Sequence, residues 1–156
     1  MSTAGIFHHT SYVVHDVIEA AERLMGTVGI GPWLVWTLAP RSATLRGRPV
    51  SYSFRVAMAA HAGSNVELVA PLAGESLASE HLTAHGEGFH HTCYMFDTRQ
   101  AMRDEKARLV AAGLELLQEG DMGELGEFCS LRWPVTGNIQ ELAFFDGMPP
   151  PEKCIA

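Results

Sequence analysis

Phe7-His8-His9-Thr10-Ser11-Tyr12 returns later in the chain as Phe89-His90-His91-Thr92-Cys93-Tyr94. Five of the six positions are identical, with Phe7 aligned on Phe89 and Tyr12 on Tyr94. Weaker echoes follow. Glu67-Leu68 recurs as Glu141-Leu142, and Ser53-Phe54-Arg55-Val56 as Ser130-Leu131-Arg132-Trp133, each at a somewhat shorter offset than the hexapeptide. Offsets that drift are what loops of unequal length leave in a duplicated chain, so the sequence reads as two copies of one unit.

Each copy has the same grammar. Residues 7–14 carry Tyr, Val and Thr in alternation, as a strand does. Asp16 is placed to cap a helix with Val17, Ala21, Leu24 and Val28 on one face, which Gly26, Gly29, Gly31 and Pro32 bring to an end. Strands are predicted over residues 33–38, 50–58 and 66–70, with Gly63-Ser64-Asn65 as the last turn. The second half repeats the order: strand 89–96, helix 98–112 after Asp97, and strands near 114–118, 127–133 and 138–145. This is an α+β chain of two strand-helix-three-strand (βαβββ) modules, spanning residues 1–74 and 89–146. A linker helix occupies 75–88. The tail 147–156, with Pro149-Pro150-Pro151, is expected to join no sheet and to be loose.

Composition narrows the class. The chain has 156 residues, 47% hydrophobic and 19% charged. Such a chain suits one compact unit and not a disordered one. No apolar run is long enough to span a bilayer, and no secretory leader precedes the first strand. Three cysteines without a C-x-x-C spacing argue for a reducing, cytoplasmic setting. A formal net charge of −7 disfavours nucleic acid as a partner.

Four ligand-type side chains fall at equivalent places in the two copies: His9 and His91, Glu67 and Glu141. On a strand, His9 and Ser11 share one face and Thr10 and Tyr12 the other. The larger apolar set belongs under the helix, which leaves both histidines on the opposite, concave side. A carboxylate inside Val66-Glu67-Leu68-Val69 or Ile139-Gln140-Glu141-Leu142 is costly to bury unpaired. A shared cation would neutralise both. Two nitrogen and two oxygen donors suit one divalent ion such as Zn, Ni, Co, Mn or, less well, Fe(II).

In these motifs the chain resembles the vicinal oxygen chelate superfamily, which includes glyoxalase I, methylmalonyl-CoA epimerase, extradiol dioxygenases and bleomycin-resistance proteins. The resemblance covers roughly residues 6–146. It rests on His9 in Phe-His-His-Thr-Ser-Tyr, Glu67 in Val-Glu-Leu-Val-Ala-Pro, His91 in Gly-Phe-His-His-Thr and Glu141 in Ile-Gln-Glu-Leu. Gly86-Glu87-Gly88-Phe89-His90-His91 is similar to the epimerase branch. The resemblance implies that the two modules form a cupped mixed sheet around one metal, on which a small-molecule substrate places its oxygens. It further implies proton transfer next to a carbonyl, as in an isomerase, epimerase or glyoxalase-type lyase. Glu141 would be the base and Glu67 the alternative. An extradiol-type dioxygenase and a noncatalytic resistance-type binding protein are the competing readings. A homodimer is expected, because such modules leave sheet edges open.

The epimerases also use a second acid/base carboxylate in the middle strands of the first module. This chain has no Asp or Glu between Glu22 and Glu67. His61, Tyr52 and the carboxylates of residues 119–124 are the substitutes on offer. The same acid-free stretch carries Arg41, Arg46, Arg48 and Arg55, suited to an anionic group such as a carboxylate or the phosphates of an acyl-CoA. Arg55 and Arg132 are expected to reach the pocket. His8 and His90 are read as supports of the ligand histidines or, in preference, as ordinary structural residues, His81 and His85 as surface histidines, and Cys93, on the His91 face, as a small buried hydrophobe in preference to a pocket residue.

Overall fold

The computed structural model describes residues 5–156. The first module runs β1 (Ile6–Val13), α1 (Val17–Val28), β2 (Trp33–Leu38), β3 (Ser42–Leu45), β4 (Arg48–Val50), β5 (Ser53–His61) and β6 (Ser64–Ala73). After α2 (Leu77–His85), the second runs β7 (Gly88–Met95), α3 (Arg99–Ala111), β8 (Glu115–Asp121), β9 (Gly126–Arg132) and β10 (Ile139–Phe145). A last strand, β11 (Lys153–Ile155), closes the chain. No helix of the described residues is long and apolar enough to cross a membrane.

Local chemistry sets the helix ends. The Asp16 carboxylate accepts from the backbone N–H groups of Ile18 and Glu19, and Gly29 stops α1 in the left-handed conformation. α3 is capped by Thr98 rather than Asp97. α1 covers Leu68, Ala70, Ala57 and Ala59, while α3 covers Leu142, Leu131 and Cys129. Each helix thus claims one parity of its module's strands. Glu67 and Glu141 belong to the other parity and face the hollow.

All strands join one mixed sheet, in the order β11-β2-β5-β6-β1-β7-β10-β9-β8-β3-β4. At its centre β1 and β7 pair antiparallel, and each also pairs parallel with the last core strand of its own module. The registers are equivalent: Ser11 lies opposite Glu67, and Cys93 opposite Glu141. The alignments of Ser11 on Cys93 and of Glu67 on Glu141 in the sequence are therefore the structural ones. The third echo is not. Met58 opposes Glu67 and Ser130 opposes Glu141, which makes Met58, and not Ser53, the counterpart of Ser130.

The basic stretch before β5, for which the sequence predicts no strand until residue 50, contains one: Ala43 and Leu45 alternate with Ser42 and Thr44, and β3 pairs with β8 near the far edge of the sheet. The excursion from β2 thus reaches across to the other module. The C-terminal tail, expected to be loose, is held. The three prolines stand before β11, not in it, so Lys153–Ile155 pair with β2 and Ile155 enters the core under α1.

Candidate metal centre

His9, His91 and Glu141 offer ligand atoms within 4.8 Å of one another. Glu67 lies beside them, with Oε1 3.5 Å from His9 Nε2 and 3.8 Å from His91 Nε2. His91 Nε2 is 3.5 Å from Glu141 Oε2. The Nε2 atoms of His9 and His91 are buried and have no hydrogen-bond partner among the described residues. Two orphaned imidazole nitrogens facing two carboxylates fit a divalent cation of mixed nitrogen and oxygen preference.

The first histidine of each doublet has a task that its neighbours in sequence concealed. β1 carries one extra residue, His8, between the pairs Phe7–Tyr94 and His9–Cys93. β7 carries one, His90, between Phe89–Tyr12 and His91–Ser11. These two bulges turn adjacent histidines toward each other. His8 Nδ1 lies 2.8 Å from His9 Nδ1, and His90 Nδ1 lies 2.8 Å from His91 Nδ1. If the second imidazole is to present a bare Nε2, its proton must sit on Nδ1, and the first imidazole then accepts it. Burial, then the charge of the adjacent histidine, lowers the pKa of His8; burial, then His81, brings His90 to about 4. Both are therefore neutral near pH 7 and able to accept.

The carboxylates are flanked in the same symmetric way. Ser11 Oγ donates to Glu67 Oε1 at 2.7 Å, and Cys93, at the equivalent position, lies opposite Glu141 on the neighbouring strand. Burial works against a charged Glu67, but His9, His91 and Ser11 outweigh it and hold its pKa low. Glu141 is raised, by burial first and by the Glu67 charge second. Burial would lower His9, yet the charge and hydrogen bond of Glu67 and the charge of Glu141 raise it. His91 falls to about 3, chiefly through burial. The sequence favours a merely structural role for His8, His90 and Cys93 and gives Ser11 none. The signal was there, since the hexapeptide repeats their positions as faithfully as those of His9 and His91.

The centre sits in a cavity of about 410 Å³. Its other walls are mostly apolar, with Trp36, Phe54, Val56, Met58, Phe128 and Phe145 prominent and Ser76, Gln118 and Ser130 as polar exceptions. Arg55 and Arg132 are absent from its lining. Arg55 alternates with Phe54 and Val56, so it points away from the hollow and binds Glu152 of the tail at 2.7 Å. Arg132 has the inward parity but stands at the strand end, 3.5 Å from Glu115. It lines a second cavity, of about 490 Å³, with Arg46, His81, His85 and His90. His81 is not merely a surface residue, since its ring packs edge-on against His90 at 5.2 Å.

Of the substitutes for a second acid or base, Glu119 pairs with Lys106 and Asp121 with Arg41. His61 is exposed at the end of β5. Tyr52 alone lines the cavity; its hydroxyl is buried without a partner among the described residues, and burial, then Glu141, raises its pKa. The tail adds Gly147 and Met148 to the lining, and Pro149 O accepts from Trp36 Nε1 at 2.8 Å.

Residues 8–128 match the model of the glyoxalase/bleomycin resistance protein/dioxygenase superfamily, and the chain belongs to that family. No curated protein sequence matches it. Among solved structures it is similar to methylmalonyl-CoA epimerase from Mycobacterium tuberculosis, at 18% identity and TM-score 0.63, over 94% of this chain and 92% of the other. It is also similar to the Streptomyces coelicolor methylmalonyl-CoA epimerase in complex with 2-nitronate-propionyl-CoA, at 18% identity and TM-score 0.60, over 92% of this chain and 99% of the other. A hypothetical protein of Bacillus halodurans C-125 aligns at 15% identity and TM-score 0.64, over 92% of this chain and 96% of the other. At these identities the likeness is one of fold.

Proposed function

We propose that this chain is a metal-dependent enzyme that transfers a proton next to a carbonyl group, as an isomerase, epimerase or glyoxalase-type lyase. One observation carries the reading. Two buried imidazoles with orphaned Nε2 atoms and two carboxylates converge at one end of an apolar cavity. His9, His91, Glu141 and Glu67 would hold the cation, with zinc, nickel, cobalt or manganese as the candidates. When bound, it supplies positive charge beside the substrate carbonyl oxygen, which eases loss of the neighbouring proton. Glu141 takes that proton, since Glu67 is already engaged by the Ser11 hydroxyl and lies beside both imidazoles. Tyr52, the protonated group in the same wall, replaces the missing second acid. The apolar walls exclude water from the reacting carbon.

The test is exchange of the carbon-bound proton in D₂O, with metal saturating. Glu141→Gln keeps an oxygen ligand but removes the base, and exchange falls about 10²–10⁴-fold. Glu67→Gln is milder. Exchange that survives Glu141→Gln and disappears in Glu67→Gln would reverse the two roles.

One observation favours a second reading. The tight ligand group is His9, His91 and Glu141, two histidines and one carboxylate, while Glu67 is held by Ser11. Such a triad with open positions suits Fe(II) and an extradiol-type dioxygenase. Metal analysis of protein purified without chelator separates the two, since iron with O₂ uptake on a catechol would replace proton transfer. A resistance-type binding protein needs no such ligand set. Three free cysteines, two of them buried, support a reducing, cytoplasmic setting, and a homodimer is the assembly proposed.

A further inference from the structure

We propose that the substrate is an uncharged carbonyl compound with an apolar, ring-sized body, and not an acyl-CoA or another anion. This rests on the proton-transfer reading for its carbonyl but on separate observations for its charge. Among the described residues, no Lys or Arg lines the cavity. Of the eleven Lys and Arg side chains, nine lie within 3.8 Å of a carboxylate, and two of these, Arg46 and Arg132, line the separate second cavity, where the Arg132 Nε has no hydrogen-bond partner among the described residues. A tenth, Arg99, is bonded to the Gly123 and Gly126 carbonyls and lies over the Phe144 ring. Only Lys153, on the three-residue edge strand, has no such partner among the described residues, and one cation does not make a polyphosphate site.

The metal end gives the same answer. Glu67 and Glu141 offset the charge of a divalent cation between them, so the metal end adds little net attraction for an anion. The remaining volume is walled by Trp36, Phe54, Val56, Met58, Phe128 and Phe145, which reward an apolar body of modest size. Tyr52 adds one buried O–H without a partner among the described residues, a donor for one neutral oxygen. The tail acts in the same direction: Glu152 pairs with the Arg55 guanidinium, and Met148 contributes another apolar side chain to the cavity lining.

The experiment is a binding comparison by titration calorimetry on the zinc-loaded protein at low salt, where charge attraction is least screened. The probes are 2-hydroxyacetophenone, mandelate and malonyl-CoA. The first two share a phenyl body and differ in charge, and the third carries the phosphates. The uncharged ketone should bind at least about tenfold more tightly than either anion. Tyr52→Phe should weaken it about fivefold, the loss of one hydrogen bond. Quenching of Trp36 fluorescence, absent in Trp36→Phe, should report the same order. Mandelate or malonyl-CoA binding as tightly as the ketone would overturn the proposal, and so would no ketone binding at millimolar concentration. Its failure is distinguishable from that of the proton-transfer reading. Ketone binding without deuterium exchange upholds the substrate class and rejects the chemistry. Exchange with malonyl-CoA alone does the reverse.

Discussion

His8 and His90 decide how well the centre can be made. Each meets the Nδ1 of its neighbour at 2.8 Å. Replacing either by Ala leaves the ligand in place but frees its ring to choose the wrong tautomer or rotate. Partners of this kind are worth about 10–100-fold in metal affinity, so His8→Ala and His90→Ala should each weaken zinc by that factor while the thermal unfolding midpoint moves little. Competition with a chromophoric chelator measures it. Protons compete for the same site. His9 holds its proton more tightly than a free histidine and must release it to bind a cation, whereas His91 is already bare. Zinc affinity should therefore fall as the solution is taken from about pH 8 to about pH 6, and flat affinity over that range would count against His9 as a ligand. The four candidate ligands were legible because duplication repeats them. Arg55 misled because a motif echo carries no phase, and an odd slip on a strand moves a side chain to the other face; Arg132 has the inward phase but stands at the strand end, beyond the cavity. His8 and His90 were undervalued because a bulge cannot be seen in a strand's alternation.

At the scale of elements, the two core ladders were legible and the additions were not. Helix caps, strand alternation and the repeat fixed both modules. The β3–β4 hairpin and β11 consist of very short strands, and each is stabilised by a strand remote in sequence, for which no local pattern exists. Their importance can be tested. Gly74 leaves β6 at φ 78°, and a Cβ there would collide with the Ser51 carbonyl oxygen. That close approach sets the backbone of Tyr52 against the end of β6. Gly74→Ala should destabilise by about 2 kcal/mol or more and perturb binding in the cavity, because both the left-handed conformation and the contact forbid a methyl group. On the other side, Ile155 is 6% exposed in the α1 core. Ile155→Ala should therefore cost about 2 kcal/mol in urea unfolding. A change near zero would mean that β11 is not held in solution.

For the whole molecule the open question is what covers its exposed apolar surface. The sequence suggested pairing through sheet edges, but the edges are poor templates. β4 and β11 have three residues each, Pro49 lies within β4, and Pro149-Pro150-Pro151 precede β11. A different surface is better suited. Where β1 meets β7, Phe7 packs on Tyr94 at 5.7 Å and Tyr12 on Phe89 at 5.9 Å, both edge-on. Phe7 and Phe89 are each 43% exposed and Ile6 is 73% exposed. The aromatic pairs come from the repeated hexapeptide, so they form a patch with the internal symmetry of the fold, which a second copy can match residue for residue. The expected assembly is a homodimer through this seam, not through an edge. Light scattering at micromolar concentration should give the dimer mass for the native chain. Phe89→Glu places a charge in that contact without touching the core, and should give monomer with an unchanged circular dichroism spectrum. A native chain that is monomeric would remove the dimer. A Phe89→Glu chain that stays dimeric would move the interface elsewhere.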